Sequence, residues 1–189
     1  MILLLGPTGS GKTVQGQMLA DRHGWVWISA GNLLREVNDP AINQMMLKGI
    51  MIPHDTINKL VFERIAKSKT ASEERKFILD GYPREAEQAA TLTKFEFDRT
   101  GREPIDIVID LRITKEEIAK RLSLRGRAED SPKVIADRLK LHDKQTKEIK
   151  DYYSALNVPI VTIDGVGTVG EVHDRIEKVL EDRQVLGAF

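Results

Sequence analysis

Lys12 and Thr13 end the run Gly6-Pro7-Thr8-Gly9-Ser10-Gly11-Lys12-Thr13, which has the form G-x-x-x-x-G-K-T. Such a run holds phosphate when it joins a strand to a helix. A helix start leaves backbone N–H groups unpaired, with the positive end of the helix dipole behind them. Gly6, Gly9 and Gly11 let the backbone curl around an anion. Gly9, Ser10, Gly11 and Val14 are thus candidate loop contacts, Lys12 an ammonium for the outer phosphates, and Thr13 a hydroxyl for Mg²⁺.

A second set of cations follows. Arg35, Arg84, Arg121, Arg125, Arg127 and Arg138 all lie on or beside segments expected to leave strand ends. The planar guanidinium grips phosphate oxygens with two hydrogen bonds at once. One glycine loop accounts for one triphosphate, so this many further arginines suggest a second phosphorylated molecule. Taken singly, Arg121, Arg125 and Arg138 fit a solvated helix face equally well. Arg84 is different, because it follows a strand-end carboxylate in Asp80-Gly81-Tyr82-Pro83-Arg84.

The elements that must position these groups alternate between strand and helix. The apolar run Met1-Ile2-Leu3-Leu4-Leu5 predicts a buried first strand, and Val14, Met18 and Leu19 recur at helical spacing up to a stop at Gly24. Further strands are expected over residues 25–28, 77–80, 105–113 and 158–163. In the fourth, Asp106, Asp110 and Arg112 alternate with apolar residues, which suggests one less buried face, nearer a sheet edge. Pro40 and Gly49 break a small helical excursion, and Asp55 is a candidate cap for a helix with Ile57, Leu60, Val61 and Ile65 on one stripe. Residues 67–75 read as a loop, and Pro83 suits a first helical turn. Thr114-x-x-Glu117 and Thr168-x-x-Glu171 read as capping boxes, and Ser131-Pro132 as the start of a long helix towards Tyr153. The tail after Arg183 is expected to fray.

This pattern implies an α/β fold: one parallel five-stranded sheet with helices on both faces and ligands beyond the carboxyl ends of its strands. The 189 residues suffice for one domain with a sizeable core, and a content 41% hydrophobic and 31% charged is that of an ordinary globular protein. Lys+Arg and Asp+Glu are both 29, so no net field points to nucleic acid or an anionic membrane. There is no cysteine, which excludes disulfides and thiolate metal sites, and His23, His54, His142 and His173 show no ligand spacing and read as surface or structural. No apolar run is long enough to span a membrane, and the first strand begins at Met1, so a cytoplasmic monomer is the expectation.

Over almost its whole length the chain resembles the nucleoside monophosphate kinases, and within them the adenylate kinases with a short lid. Gly6 to Gln15 is similar to that family's glycine loop, and Ser29-Ala30-Gly31-Asn32-Leu33-Leu34-Arg35 to its S-T-G-D-L-L-R signature. Leu79-Asp80-Gly81-Tyr82-Pro83-Arg84 with Gln88 resembles L-D-G-F-P-R-x-x-x-Q, its most specific motif. Arg127 and Arg138, around Glu129-Asp130, resemble the R-x-D-D…R-L pair, and Ile163-Asp164-Gly165 with Gly167 the segment bordering the donor adenine.

The resemblance implies a P-loop NTPase fold with two insertions, an acceptor-binding one over about residues 29–58 and a short lid over about 125–131. It implies transfer of a phosphoryl group from MgATP to AMP, giving two ADP. Lys12 and the loop amides would hold the β- and γ-phosphates, Arg121 and Arg125 would clamp the donor, and backbone near Gly167 would touch its base. Arg35, Arg84, Arg127 and Arg138 would surround the acceptor phosphate and the group in flight. Ala30, Ile50, Met51, Ile52 and Gly81 would line the acceptor pocket, with Gln88 reading the base through one donor and one acceptor. Asp80 would organise Mg²⁺ through its water shell.

The chain departs from the pattern in three places. Ala30 stands where adenylate kinases usually carry Thr and UMP/CMP kinases carry Ala, Asn32 replaces the usual Asp, and Arg125 and Arg127 are only two apart, which makes the lid very short. A zinc-binding lid is impossible without cysteine. A UMP/CMP kinase with the same chemistry is the alternative, and a P-loop regulatory ATPase is a more distant one.

Overall fold

Ile2, Leu3, Leu4 and Leu5 are all buried, as a strand with partners on both edges and helices over both faces requires. In the computed structural model, which describes residues 1–68, 76–127 and 131–186, they form β1 (Ile2–Leu5). The elements follow as α1 (Lys12–His23), β2 (Val26–Ser29), α2 (Ala30–Glu36), α3 (Pro40–Lys48), α4 (His54–Ser68) and β3 (Phe77–Asp80). After them come α5 (Ala86–Thr100), β4 (Ile107–Arg112), α6 (Lys115–Arg125), α7 (Pro132–Ala155), β5 (Ile160–Asp164) and α8 (Val169–Asp182).

All five strands are parallel, in the order β2-β3-β1-β4-β5. The glycine loop therefore leaves the middle of the sheet, between the ends of β3 and β4. Side-chain alternation divides the core in two. Leu3 and Leu5 of β1 join Phe77, Leu79 and Val108 under α2, α4, α5 and α7. Ile2 and Leu4 join Ile78, Ile107, Ile109 and Leu111 under α1 and α8. The helical stripes close these layers: Ile57, Val61 and Ile65 of α4 are buried on one side, and Val172, Ile176 and Leu180 of α8 on the other.

Local signals set the helix ends. Gly24 ends α1 in the left-handed region at φ 66°, Asp39 caps α3 with Pro40 in its first turn, and Ser131 caps α7 ahead of Pro132. Thr168 and Glu171 form the full reciprocal box, whereas Thr114 is seen accepting from the Glu117 N–H.

Several expectations need correction. β4 lies next to the edge strand β5, but Ile107 to Leu111 are all buried, so it has no less buried face and its alternating charges have a different cause. Asp110 is fully buried, accepts from Arg112 Nε at 2.8 Å and also from Lys150 Nζ, while Asp106 lies before the strand and binds the Met1 ammonium at 2.7 Å. A paired charge inside a sheet gives the same sequence rhythm as a solvated face. β2, β4 and β5 also start later than expected, because only their central residues find ladder partners.

Pro40 opens a helix rather than breaking one. Asp55 sits in the first turn of α4, where its charge favours the dipole, and His54 begins the helix. Pro83 lies outside α5, after a cis Tyr82–Pro83 peptide, and Glu85 is the N-cap. The tail is packed as far as it is described. Val185 is buried, its N–H donates to Leu180 O at 2.9 Å, and its carbonyl accepts from Lys76 Nζ. Lys67 and Ser68, expected in a loop, still belong to α4, which runs to Ser68; the rest of that expected segment (69–75), residues 128–130 (Glu129-Asp130 included) and the last three residues lie outside the described residues.

Candidate active site

The loop between β1 and α1 takes its shape from two glycines. Gly6 has φ +143°, and a Cβ there would lie 2.7 Å from Leu111 O and from Ser10 Oγ. Gly11 caps α1 at φ +97° with no side-chain cap, so the first N–H groups of the helix have no side-chain acceptor at the cap. Lys12 bends back over the loop. Its Nζ donates to Gly6 O at 2.7 Å and Pro7 O at 2.8 Å and lies 3.4 Å from Ser10 Oγ. Thr13 Oγ1 donates to Asp80 Oδ2 at 2.8 Å, which ties the loop to the end of β3.

These residues floor one cavity of about 850 Å³. Around it the structure gathers Gly9, Ser10, Gly11, Lys12, Thr13, Val14 and Gly167 together with Ala30, Arg35, Ile50, Met51, Ile52, Gly81, Arg84 and Gln88. Asp80, Arg121, Arg127 and Arg138 line it too. Arg125 ends α6, and its side chain lies outside the described residues.

Neighbours hold the arginines in place. Arg121 donates through Nε to Glu117 Oε1 at 2.7 Å and through Nη2 to Gly165 O at 2.9 Å. Arg138 reaches from α7 to Met46 O at 3.2 Å, at the end of α3. Arg35 Nη2 donates to Asn32 Oδ1 at 2.6 Å. The carboxamide at this position thus orients Arg35 without adding a negative charge beside it.

Arg84 Nε donates to Gly81 O at 3.0 Å, and the Arg84 N–H donates to Gln88 Oε1 at 2.8 Å. The amide of Gln88 is thereby aimed, with a second lone pair on its oxygen and both N–H groups remaining. Protein crowding lowers the proton affinity of Arg84 first and the charge of Arg138 second, with Asp80 acting the other way. The cavity is open to water and Arg84 keeps exposed surface within it, so the group stays a cation at working pH.

Sequence reasoning missed part of the wall. Leu141, His142, Gln145, Thr146 and Ile149 of α7 line the cavity beyond Arg138, as do Gln15 of α1 and Glu117 of α6. The signal was the three- and four-residue spacing from Arg138 along α7, which places these residues on one face. The histidines fit the surface-or-structural expectation only in part. His142 lines the cavity, and His173 is buried, facing Gln15 Oε1 at 3.2 Å and Glu177 at 3.3 Å. Among the described residues no group of three or more His, Cys, Asp or Glu is placed to hold a metal ion.

Comparison with known proteins gives this geometry a family. A family model for adenylate kinase matches residues 4–158. The chain belongs to the adenylate kinase family. It is 36% identical over 185 residues to an adenylate kinase of Mycobacterium ulcerans, an alignment covering 95% of this chain and 98% of that one. It is 38% identical over 180 residues to an adenylate kinase of Mycobacterium leprae, covering 92% and 95%. The parallel sheet, with helices on both faces and its carboxyl edge open onto the cavity, is consistent with the P-loop fold of that family. The family is one of nucleoside monophosphate kinases, so the general chemistry is phosphoryl transfer between nucleotides. No described helix is long and apolar enough to cross a membrane.

Proposed function

We propose that the chain catalyses the reversible transfer of the γ-phosphoryl group of MgATP to AMP, giving two ADP. The observation that carries this is the single cavity lined by both the glycine loop and arginines of separate segments: Arg35, Arg84, Arg121, Arg127 and Arg138. A loop that binds one triphosphate has no need of so many guanidinium groups, whereas two phosphate chains meeting end to end do.

The donor lies along the glycine loop, with its base near Gly167 and its outer phosphates under Lys12, Arg121 and Arg125. The acceptor lies in the pocket formed by Ala30, Ile50, Met51, Ile52 and Gly81, with its base edge on Gln88 and its phosphate among Arg35, Arg84, Arg127 and Arg138. The nucleophile is a phosphate oxygen that is already ionised at neutral pH. No side chain has to remove a proton. The protein contributes alignment and charge: it holds the attacking oxygen in line and surrounds the transferring group with cations. Residues about 29–58 and 125–131 act as covers that exclude water, so their opening contributes to turnover.

Thr13 and Asp80 suit Mg²⁺. They place a hydroxyl and a carboxylate, both hard oxygen donors, 2.8 Å apart beside the loop, and an ion that keeps water and phosphate oxygens needs few protein ligands. When bound there the ion neutralises charge on the phosphate oxygens. Asp80 would hold its water shell and Thr13 would ligate it directly.

A coupled assay with AMP, CMP, UMP and GMP as acceptors tests the reading. AMP is expected to be the best acceptor, and the assay without acceptor to show only slow hydrolysis. Preference for UMP or CMP would overturn the choice of base, and hydrolysis unaffected by any monophosphate would overturn phosphoryl transfer.

A further inference from the structure

The cavity wall contains an imidazole that the mechanism above does not use. Among the described cavity-lining side chains, His142 is the one whose type ordinarily changes charge between pH 5 and 8. It lies one helical turn beyond Arg138 on the same face of α7, and its ring stands 3.2 Å from the hydroxyl of buried Thr146 one turn further on.

The charges around it are of both signs. From α1 comes Lys12, and from β4 come Asp110 and Arg112. α7 itself contributes Asp143; Arg138 lies one turn before His142 on the same helix, and Lys150 is bound to Asp110. Asp110 is fully buried, and its Oδ1 has no hydrogen-bond partner, so spare acceptor capacity stands among these groups. In the protein alone, burial and then the Lys12 ammonium push the imidazole down to about 4, with Asp110 and Asp143 pulling the other way and Arg112 adding to Lys12. His142 is therefore neutral at any working pH before substrate enters.

Phosphate changes this balance. Lys12 is the main nearby charge disfavouring the imidazolium, and it is also the ammonium to which the donor's outer phosphates come. Once anionic oxygens pair with Lys12, its repulsion is offset, and a nearby anion favours the charged ring. We propose that His142 is a phosphate-sensing member of the site that takes up a proton as the two phosphate chains fill the cavity, adding a cation that the substrate-free protein lacks. It abstracts no proton from either nucleotide. It acts as one more positive charge on the cavity wall, present only when the anions are. This rests on the reading of the cavity as a site for two nucleotides.

Two measurements on the full chain test it, with diadenosine pentaphosphate as the probe. The first is NMR titration of the His142 ring in wild-type protein with and without the probe. The second is calorimetry of probe binding in two buffers of different ionisation enthalpy. In the free protein the ring should stay neutral down to about pH 5, and with the probe it should become protonated near pH 6. At about pH 6 wild type should take up about half a proton more per site than His142→Gln. A ring midpoint that the probe leaves unmoved, or equal uptake by both proteins, overturns the role of His142 while leaving the nucleotide reading intact. Failure of the probe to bind wild type overturns the nucleotide reading, and this proposal with it. The NMR arm uses unaltered protein, so it decides the matter even if the variant folds poorly.

Discussion

Thr13 Oγ1 donates to Asp80 Oδ2 across 2.8 Å, joining the first turn of α1 to the last residue of β3. The two residues are 67 positions apart in sequence, and the parallel pairing of β1 with β3 brings them together. If they hold Mg²⁺ between protein and phosphate, Asp80→Asn keeps the shape and loses the charge. The expected result is a fall in kcat of on the order of 10²-fold at ordinary Mg²⁺, partly recovered at high Mg²⁺. Turnover of the variant against Mg²⁺ concentration checks this, and an unchanged curve would remove Asp80 from the metal site.

Lys12 and Arg84 both line the cavity, and both donate to backbone carbonyls. Replacing either removes a charge without opening the core. Lys12→Met and Arg84→Ala should each lower kcat by on the order of 10²–10³. Circular dichroism and thermal melting should stay near wild type, which separates lost chemistry from lost fold.

His54 Nε2 is in hydrogen-bonding contact with Glu85 Oε2, and Glu87 stands 3.1 Å from the other ring nitrogen. The pair fastens the start of α4, just past Ile52, to the residue after Arg84. Both halves of the proposed acceptor pocket therefore share one brace. The contact is partly exposed, and a hydrogen bond of this kind is worth about 1 kcal/mol, so Glu85→Gln should raise KM for AMP about fivefold. KM for ATP should hardly change. Steady-state kinetics with each substrate varied in turn measures the split, and an equal rise in both constants would refute the local brace.

Stability should depend on pH in a direction set by His142 and His173. Burial is the main cause holding both rings below their ordinary affinity for protons. Above about pH 7 the ring is neutral in folded and unfolded chains alike, and these groups add no pH dependence. As pH falls through about 6.5 the unfolded chain takes up protons that the folded one refuses, so stability drops. For His142 the loss continues down to about 4. Urea melts of wild type and His142→Gln from pH 7.5 to 4.5 should show a shallower decline in the variant, and parallel curves would contradict this.

Much of the site was legible in the sequence because its parts are local. The glycine loop, the Asp80-to-Gln88 run and the capped helix starts each carry their signal within a dozen residues. What escaped was set by distant partners. Asp110 looked like the mark of a surface strand because nothing near it in sequence announces Lys150, forty residues on. His142 looked peripheral because its neighbours come from α1 and β4. The late starts of β4 and β5 follow from where their ladder partners begin, which a single strand cannot encode.

Helix α7 runs 24 residues, about 36 Å. Ile149 and Tyr153 bed its far half in the main core beside α5, while its near half meets the α3 segment, with Arg138 on Met46 O and Val134 against Gly49. It is mounted like a cantilever, clamped at one end and loaded at the other. Damage to the clamp, for example Tyr153→Ala, would shift the near half and disturb the Met46 and Gly49 region from a distance, although Tyr153 itself does not border the cavity.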